Sequence, residues 1–199
     1  MHPIDDYIGD FKPKGELEKD VYSLLHNHNH DHTFTHFKAV AAKAVELAQQ
    51  CGGDAAKAET AAWLHDISAI IPNDKRIEVA RALDIEVLPV EEQLPMIIHQ
   101  KLSAAISRHS FGVTDEETLS GVGCHTTLKA DASLTDKLVF VADKIAWDQE
   151  GTPPYIEELN KGLERSIDKA ALAYLNYIYD HATILHPWAK EAREQLLGL

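Results

Sequence analysis

The chain contains little that would place it outside a reducing compartment. Its 199 residues include only two cysteines, Cys51 and Cys124, which lack the CxxC spacing of many metal and redox motifs. Two such cysteines cannot build a disulfide framework, and we interpret each as a small buried apolar residue. The first residues, MHPIDD, lack the basic and then apolar run of a signal peptide. We therefore expect a cytoplasmic protein.

Positive charge and long apolar runs are also scarce. Lysine and arginine total 19 against 32 acidic residues, which gives a formal net charge of -13. Such a charge opposes binding to a nucleic-acid backbone or an anionic membrane, and no apolar run approaches bilayer-spanning length. We expect neither nucleic acid nor a membrane as a partner. A small anionic substrate would need local positive charge, which bound metal ions can supply.

Helical periodicity dominates the chain, and strand patterns are nearly absent. A first strong helix is predicted from Thr33 or Thr35 as N-cap to Gly52-Gly53. Its apolar stripe consists of Phe37, Val40, Ala41, Ala44 and Ala48. A second helix is predicted from Asp54 as N-cap to the dipeptide His65-Asp66, which therefore lies near a helix end.

Further helices are predicted along the rest of the chain. The boundary signals are Asn73 and Leu83, a helix start near His99, a capping box of Thr114 and Glu117, Ser133, the amphipathic segment from Tyr155 toward Leu185, and Pro187. No repeat or long linker divides the sequence. We predict an all-α protein, a compact helical bundle forming one domain over residues 1–199. Its core covers about residues 30–180, with helical extensions at both ends.

Four imidazoles and two carboxylates are the candidate metal ligands. They are His36, His65, Asp66, His99, His125 and Asp143. This is a ligand set that divalent transition metals prefer. At a helix end, His65 and Asp66 can reach one cluster, and Asp66 offers one oxygen to each of two ions. Asp143 follows the apolar run VFVA, where an unpaired carboxylate would be costly.

The order of these residues resembles the HD superfamily of metal-dependent phosphohydrolases. The narrower resemblance is to the bacterial symmetrical bis(5'-nucleosyl)-tetraphosphatases, and it covers roughly residues 30 to 180. It is carried by four segments: Leu64-His65-Asp66, Ile98-His99, His125-Thr126-Thr127 and the stretch KLVFVADKI over residues 137–145. The resemblance implies an HD-domain helical bundle around a metal centre.

The resemblance also implies the ligand sets and the chemistry. His36, His65, Asp66 and Asp143 would hold one divalent transition-metal ion, and Asp66, His99 and His125 the second. Iron is the common metal in that family, and manganese or another transition metal is an alternative. Asp66 and His65 would have the catalytic role, with a metal-bridging hydroxide as nucleophile. The products would be two nucleoside diphosphates.

The substrate-contacting segments depart from that group. Thr33 stands where the group has an arginine, Leu128-Lys129 replaces a glycine and a basic residue, and the loop over residues 146–151 replaces a turn resembling Glu-Pro-Gly-Arg. The identity of the nucleotide therefore stays open. Lys137, Lys129 and Thr126 are the candidate substrate-binding residues. Lys129 and Lys144 are equally well read as solvated surface lysines.

Several alternatives remain at this point. A one-metal 5'-nucleotidase would not need His99 and His125, and a non-catalytic signalling module would be expected to lose ligands. An alarmone hydrolase would show a Glu-Asp pair after His65-Asp66, where this chain has ISAI. The run His26, His28, His30 and His32 is interpreted as a polar surface turn, although it makes the choice of His36 over His32 less secure. A homodimer is possible, with Trp147 or Trp188 marking an interface or capping the core.

Overall fold

Every regular element in residues 2–198, the part of the chain that the computed structural model describes, is helical. The α-helices are α1 (Asp5–Ile8), α2 (Leu17–Asn27), α3 (Asp31–Cys51), α4 (Ala55–Leu64), α5 (Arg76–Ala82), α6 (Pro89–Gln93), α7 (His99–Ser110), α8 (Glu116–Cys124), α9 (Leu134–Ile145), α10 (Ile156–Leu163), α11 (Ile167–His181) and α12 (Pro187–Leu197). Two 3₁₀ turns cover Ile67–Ile70 and Asn73–Lys75. The predicted all-α class is confirmed.

The core lies where α3, α4, α8 and α9 pack on one another. The apolar stripe predicted for the first strong helix is buried at all five positions, and its Phe37 is, with Leu64 and Phe140, among the largest fully buried side chains. Helix α9 contacts α3, α4, α8 and α11, so most of its side chains are buried. The ligand-bearing helices are therefore held against one hydrophobic cluster.

Local capping places His65-Asp66 at a helix end, as predicted. Helix α3 stops at Gly52, whose positive φ of 74° suits a residue without a Cβ. The Asp54 carboxylate then accepts hydrogen bonds from the backbone N–H groups of Ala56 and Lys57, which starts α4. Helix α4 ends at Leu64, and the 3₁₀ turn follows Asp66 directly. Both side chains can therefore reach around the end of the helix axis.

Two predicted helix starts are wrong. Helix α3 begins at Asp31, before Thr33 and Thr35, so His36 lies in its second turn. The segment from Asn73 begins as a 3₁₀ turn, and only Arg76–Ala82 is α-helical. The polar turn predicted before the first ligand helix is much shorter than expected because α2 and α3 take up most of it.

The capping box of Thr114 and Glu117 does not form. Asp115 is the N-cap of α8, and its carboxylate accepts from the Thr118 backbone N–H at 2.8 Å. Glu117 instead accepts from the Lys57 ammonium at 2.9 Å. An ion pair to a neighbouring helix thus replaces the local contact that the pattern predicted.

The C-terminal amphipathic segment divides into α10 and α11. Ser166 lies between them, and its hydroxyl accepts from the Lys169 backbone N–H at 3.2 Å. Helix α12 begins at Pro187 as predicted. Within residues 2–198, no helix combines the length and apolar character needed to cross a membrane.

Candidate metal centre

The six predicted ligands meet at one place in the bundle. His36 lies in α3, His65 and Asp66 follow α4, His99 begins α7, His125 follows α8, and Asp143 lies in the last turn of α9. Two overlapping sets have ligand atoms within 4.8 Å of one another: His36, His65 and Asp143, and His65, Asp66 and His125. Residues distant in sequence are thus brought together at helix ends.

The first set surrounds Asp143. Its Oδ1 lies 3.2 Å from His36 Nε2 and 3.7 Å from His65 Nε2. The two imidazole Nε2 atoms are 3.3 Å apart. Three potential donor atoms therefore face one small volume.

The second set surrounds Asp66, and His99 also lies next to it. Asp66 Oδ1 lies 3.0 Å from His99 Nε2 and 3.2 Å from His125 Nε2, which are themselves 3.0 Å apart. Asp66 Oδ2 lies 3.5 Å from His65 Nε2, on the side of the first set. The two oxygens of Asp66 thus face different imidazole groups, which is the arrangement that a bridging carboxylate needs.

Hydrogen bonds donated to backbone carbonyls define which nitrogen of each imidazole is free. The acceptors of the four Nδ1 atoms are Ala146 O for His36 at 3.0 Å, Ala62 O for His65 at 2.7 Å, Met96 O for His99 at 2.5 Å and Val122 O for His125 at 2.8 Å. A carbonyl oxygen only accepts, so each Nδ1 carries the proton and each neutral ring presents a bare Nε2 to the cluster.

This donor set fits a divalent cation. Four Nε2 lone pairs and two carboxylates converge, and such atoms repel one another unless a cation lies between them. Asp66 Oδ1 is buried and makes no hydrogen bond. Imidazoles oriented through Nδ1 to backbone carbonyls are typical of metal ligands. The residues present therefore fit the metal ions that the resemblance implies.

Burial and neighbouring charges shift the pKa values of several of these groups, and not all in one direction. For His36, burial lowers the pKa but contact with Asp143 prevails and raises it, so a bound cation would have to displace a proton there. Burial lowers the pKa of His125 to about 4, so its imidazole is neutral near pH 7. Burial alone would raise the pKa of Asp66, but the neighbouring imidazoles, first His65 and His99, hold it well below its usual range. For Asp143, Lys144 and His36 outweigh burial and likewise lower the pKa.

Lys144 is a buried positioning residue, whereas the sequence left a solvated lysine equally plausible. Its Nζ lies 2.6 Å from Asp143 Oδ2 and donates to the His125 backbone carbonyl at 3.0 Å. The ammonium also lies 5.0 Å from the Phe140 ring and 5.4 Å from the Tyr174 ring. Lys144 therefore connects one ligand from each metal set.

Gln100 is a second positioning residue, and sequence reasoning missed it. Its buried Oε1 accepts from the backbone N–H groups of Thr126 and Thr127 at 3.1 and 3.3 Å. Its Nε2 donates to Thr127 Oγ1 at 3.0 Å. An amide directly after His99 thus holds the turn that carries His125. The sequence carried no signal for this role, because it depends on Thr126 and Thr127, which lie 26 and 27 residues away.

The predicted substrate-binding residues separate into two places. Thr126 Oγ1 lies 3.0 Å from the Nε2 atoms of both His99 and His125, so it belongs to the cluster. Lys137 Nζ instead pairs with Asp168 at 2.7 Å. Lys129 Nζ donates to Ser120 Oγ at 2.7 Å. The structure does not bring either lysine into contact with the six ligands.

The histidine run before His36 also lies outside the cluster. His26 pairs with Asp31 at 2.7 Å, and both side chains are exposed. His32 is exposed, whereas His36 is largely buried and contacts Asp143. Within the described residues, the structure therefore places His36 and not His32 among the converging groups.

Comparison with known proteins shows the family of this chain. The HD domain family model matches residues 33–148. An uncharacterized protein in the pepC 5' region of Lactococcus lactis subsp. cremoris is 43% identical over 141 residues, which are 70% of this chain and 72% of that protein. A Staphylococcus aureus protein named symmetrical bis(5'-nucleosyl)-tetraphosphatase is 33% identical over 114 residues, 56% of this chain and 57% of that protein.

A solved structure shares the fold. It is described as a predicted HD superfamily hydrolase involved in NAD metabolism from Clostridium acetobutylicum, with 25% identity and a TM-score of 0.81. The match covers 90% of this chain and 96% of that one. The chain belongs to the HD domain family. It is a phosphohydrolase of that family, with a His/Asp cluster able to hold metal.

Proposed function

We propose that this HD-domain phosphohydrolase holds two divalent transition-metal ions and cleaves dinucleoside tetraphosphates symmetrically into nucleoside diphosphates. The observation that carries the proposal is the position of Asp66, whose two oxygens face different imidazole groups at 3.0 to 3.5 Å. The similarity to the Staphylococcus aureus tetraphosphatase supports the substrate class.

The ligands divide between the two ions at Asp66. His36, His65, Asp66 and Asp143 would hold one ion, and Asp66, His99 and His125 the other. When bound, divalent ions supply a water molecule of lowered pKa and neutralise charge on the phosphoryl oxygens. The imidazole-rich donor set suits iron, our first assignment, and also manganese or another transition metal.

The chain's own residues orient these groups and admit the substrate. The four Nδ1 hydrogen bonds fix each imidazole ring, Lys144 fixes Asp143, and Gln100 fixes the turn after α8. His65 and His125 are almost fully buried, whereas His99 and Asp66 keep 16% and 33% of their side chains exposed. A phosphate chain therefore reaches the cluster from the side of His99 and Asp66.

A second candidate function is hydrolysis of another nucleotide, including 5'-nucleotidase activity. It is favoured by the structural neighbour from Clostridium acetobutylicum, whose description refers to NAD metabolism. The altered segments after His125 and Asp143 border the same site and are consistent with a different nucleotide. This alternative changes the bond that is cleaved, and a one-metal 5'-nucleotidase would not need His99 and His125.

Metal analysis combined with a product assay tests the proposal. We expect about two transition-metal ions per chain and ADP as the sole product from diadenosine tetraphosphate. AMP plus ATP, or no reaction, would reject the symmetrical cleavage, and release of phosphate from a nucleoside monophosphate would support the alternative. The double variant His99→Ala, His125→Ala should lose activity. Full activity of this variant would contradict the two-ion site.

A further inference from the structure

A cleft of about 200 Å³ opens beside the exposed edge of the metal centre. It lies between the segment that follows His65-Asp66 and the segment that precedes α7. Its lining residues are Asp66, Ala69, Arg76, Met96 and His99. Two of them are proposed metal ligands, so a molecule in this cleft reaches the centre directly.

Arg76 is the cationic side chain in this lining. It is the first residue of α5, and its Nε donates to the Ile71 carbonyl at 3.2 Å. Its Nη1 lies 3.5 Å from the carbonyl of Met96, another residue of the lining. These two backbone contacts orient the guanidinium while leaving further N–H groups unengaged, because a guanidinium has five donors.

In the part of the chain that the structure describes, Arg76 has no carboxylate partner, unlike two other arginines of this acidic chain, Arg81 and Arg108. Arg81 pairs with Glu92, and Arg108 pairs with Glu116 at 2.8 Å. Among residues 2–198, no carboxylate oxygen lies within 4 Å of the Arg76 guanidinium. Burial lowers the pKa of Arg76, the charge of Asp66 opposes that effect, and the side chain stays charged. A half-buried charge that no carboxylate neutralises, in a cleft beside the proposed metal ligands, favours an anionic ligand.

We propose that Arg76 binds phosphate oxygens of the nucleotide on the His99 side of the metal centre. A guanidinium presents two parallel N–H donors, which match the spacing of phosphate oxygens. The neighbouring Met96 is 59% exposed at the rim and offers an apolar surface to the nucleoside. The identity of the ligand as a nucleoside diphosphate rests on the proposed function.

Binding of ADP to metal-loaded protein, measured by calorimetry over a range of salt concentrations, tests this role. Arg76→Gln keeps a neutral donor for the Ile71 carbonyl and removes the charge. We expect it to weaken ADP binding about 10 to 100-fold, and to make the affinity less dependent on salt. Arg76→Lys restores the charge and should recover part of the affinity. Arg108→Gln, which changes a paired surface arginine, is the matched control and should bind like wild type.

The outcomes separate this inference from the proposed function. If diadenosine tetraphosphate is not cleaved but Arg76→Gln weakens ADP binding, the substrate assignment fails and the role of Arg76 stands. Equal ADP affinity in wild type and Arg76→Gln would overturn the role of Arg76, as would equal weakening in Arg76→Gln and Arg76→Lys. Wild-type protein that binds neither ADP nor pyrophosphate would also overturn it. Metal content and melting temperature of every variant identify a loss caused by misfolding.

Discussion

Two buried clusters of ionisable side chains lie in this molecule, and their hydrogen bonding is opposite. In the first, Glu91 Oε2 accepts from Lys101 Nζ at 2.9 Å and from the Leu88 backbone N–H at 2.7 Å. His186 Nδ1 accepts from the Trp188 backbone N–H, so a neutral His186 carries its proton on Nε2. That nitrogen faces Glu91 Oε1 at 3.5 Å, although the two atoms do not form a hydrogen bond. In this cluster donors thus face acceptors.

In the metal centre, acceptors face acceptors. Backbone carbonyls accept a hydrogen bond from the Nδ1 of all four imidazoles. The bare Nε2 atoms of the neutral rings converge on carboxylates. Both clusters are buried and both contain histidine and carboxylate, so composition alone does not distinguish them. The two clusters are distinguished by the histidine tautomer that the backbone selects. Only in the candidate metal centre does this tautomer turn acceptor atoms toward one another, an arrangement that an added cation would stabilise.

The largest expected effect comes from removing the shared carboxylate of the metal centre. Asp66→Asn should reduce metal stoichiometry and lower turnover by more than the roughly 10 to 100-fold typical of residues that only orient ligands. Wild-type protein should also melt at a higher temperature when metal-loaded than after chelation, since the ions bind only the folded state. This difference should shrink or disappear in Asp66→Asn.

Metal analysis, steady-state kinetics and melting curves check this prediction. Glu91→Gln is the informative control, because it removes a buried carboxylate of the other cluster and should keep the full metal content. If Asp66→Asn retained full metal content and turnover, Asp66 would not be the shared ligand.

The Glu91 cluster should respond through stability and not through metal. Burial favours a raised Glu91 pKa, but the nearby His186 imidazole and the hydrogen bonds from the Leu88 N–H and Lys101 prevail and lower it below 4.5. A lowered carboxyl pKa contributes stability that is present above about pH 4.5 and is lost as the pH falls through the folded-state pKa. Glu91→Gln should cost about 3 kcal/mol at pH 7, because it leaves Lys101 buried without its charged partner.

Urea unfolding between pH 3 and pH 7 checks this second prediction. The variant should show a shallower loss of stability below pH 4.5 than wild type. Glu92→Gln is the control, since Glu92 is the exposed neighbour that pairs with Arg81. A Glu91→Gln protein as stable as wild type at pH 7 would show that the cluster does not stabilise the fold.

The smallest effects are expected at Lys137 and Lys129, which contact neither cluster. Lys137→Ala loses a partly exposed ion pair with Asp168, worth about 0.2 to 1 kcal/mol. Turnover and KM should stay within about twofold of wild type for both Lys137→Ala and Lys129→Ala. Turnover and KM of these two variants should be measured in parallel with those of Arg76→Gln. A large increase in KM at Lys137 would instead support the substrate contact that the family stretch implied.

The parts of the fold that local physics determines were predictable from the sequence. The apolar stripe of α3, the Asp54 cap and the position of His65 at a helix end depend on spacing within one or two turns. The predicted capping box at Thr114 does not form, because one local and one long-range contact replace it. Asp115 supplies the cap, and Glu117 binds Lys57 on a neighbouring helix.

Residues whose role depends on distant partners were not predictable from sequence. Lys144 is buried only because Asp143, the His125 carbonyl and two aromatic rings surround its ammonium. Gln100 gains its role from Thr126 and Thr127, which are close only once α7 and α8 pack together. The six candidate ligands could be proposed in advance because their residue types and order are visible without any distances, and the structure brings them together.

The Nδ1 hydrogen bonds have a further consequence for how the centre assembles. His65, His99 and His125 each bond the carbonyl three residues earlier, so one turn of chain is sufficient to orient each of these rings. His36 differs, because its acceptor is Ala146, 110 residues away. Three imidazoles are thus aimed by their own helix ends, and the fourth is aimed only when the end of α9 docks beside α3. The orientation of His36 therefore reports whether the end of α9 has docked beside α3.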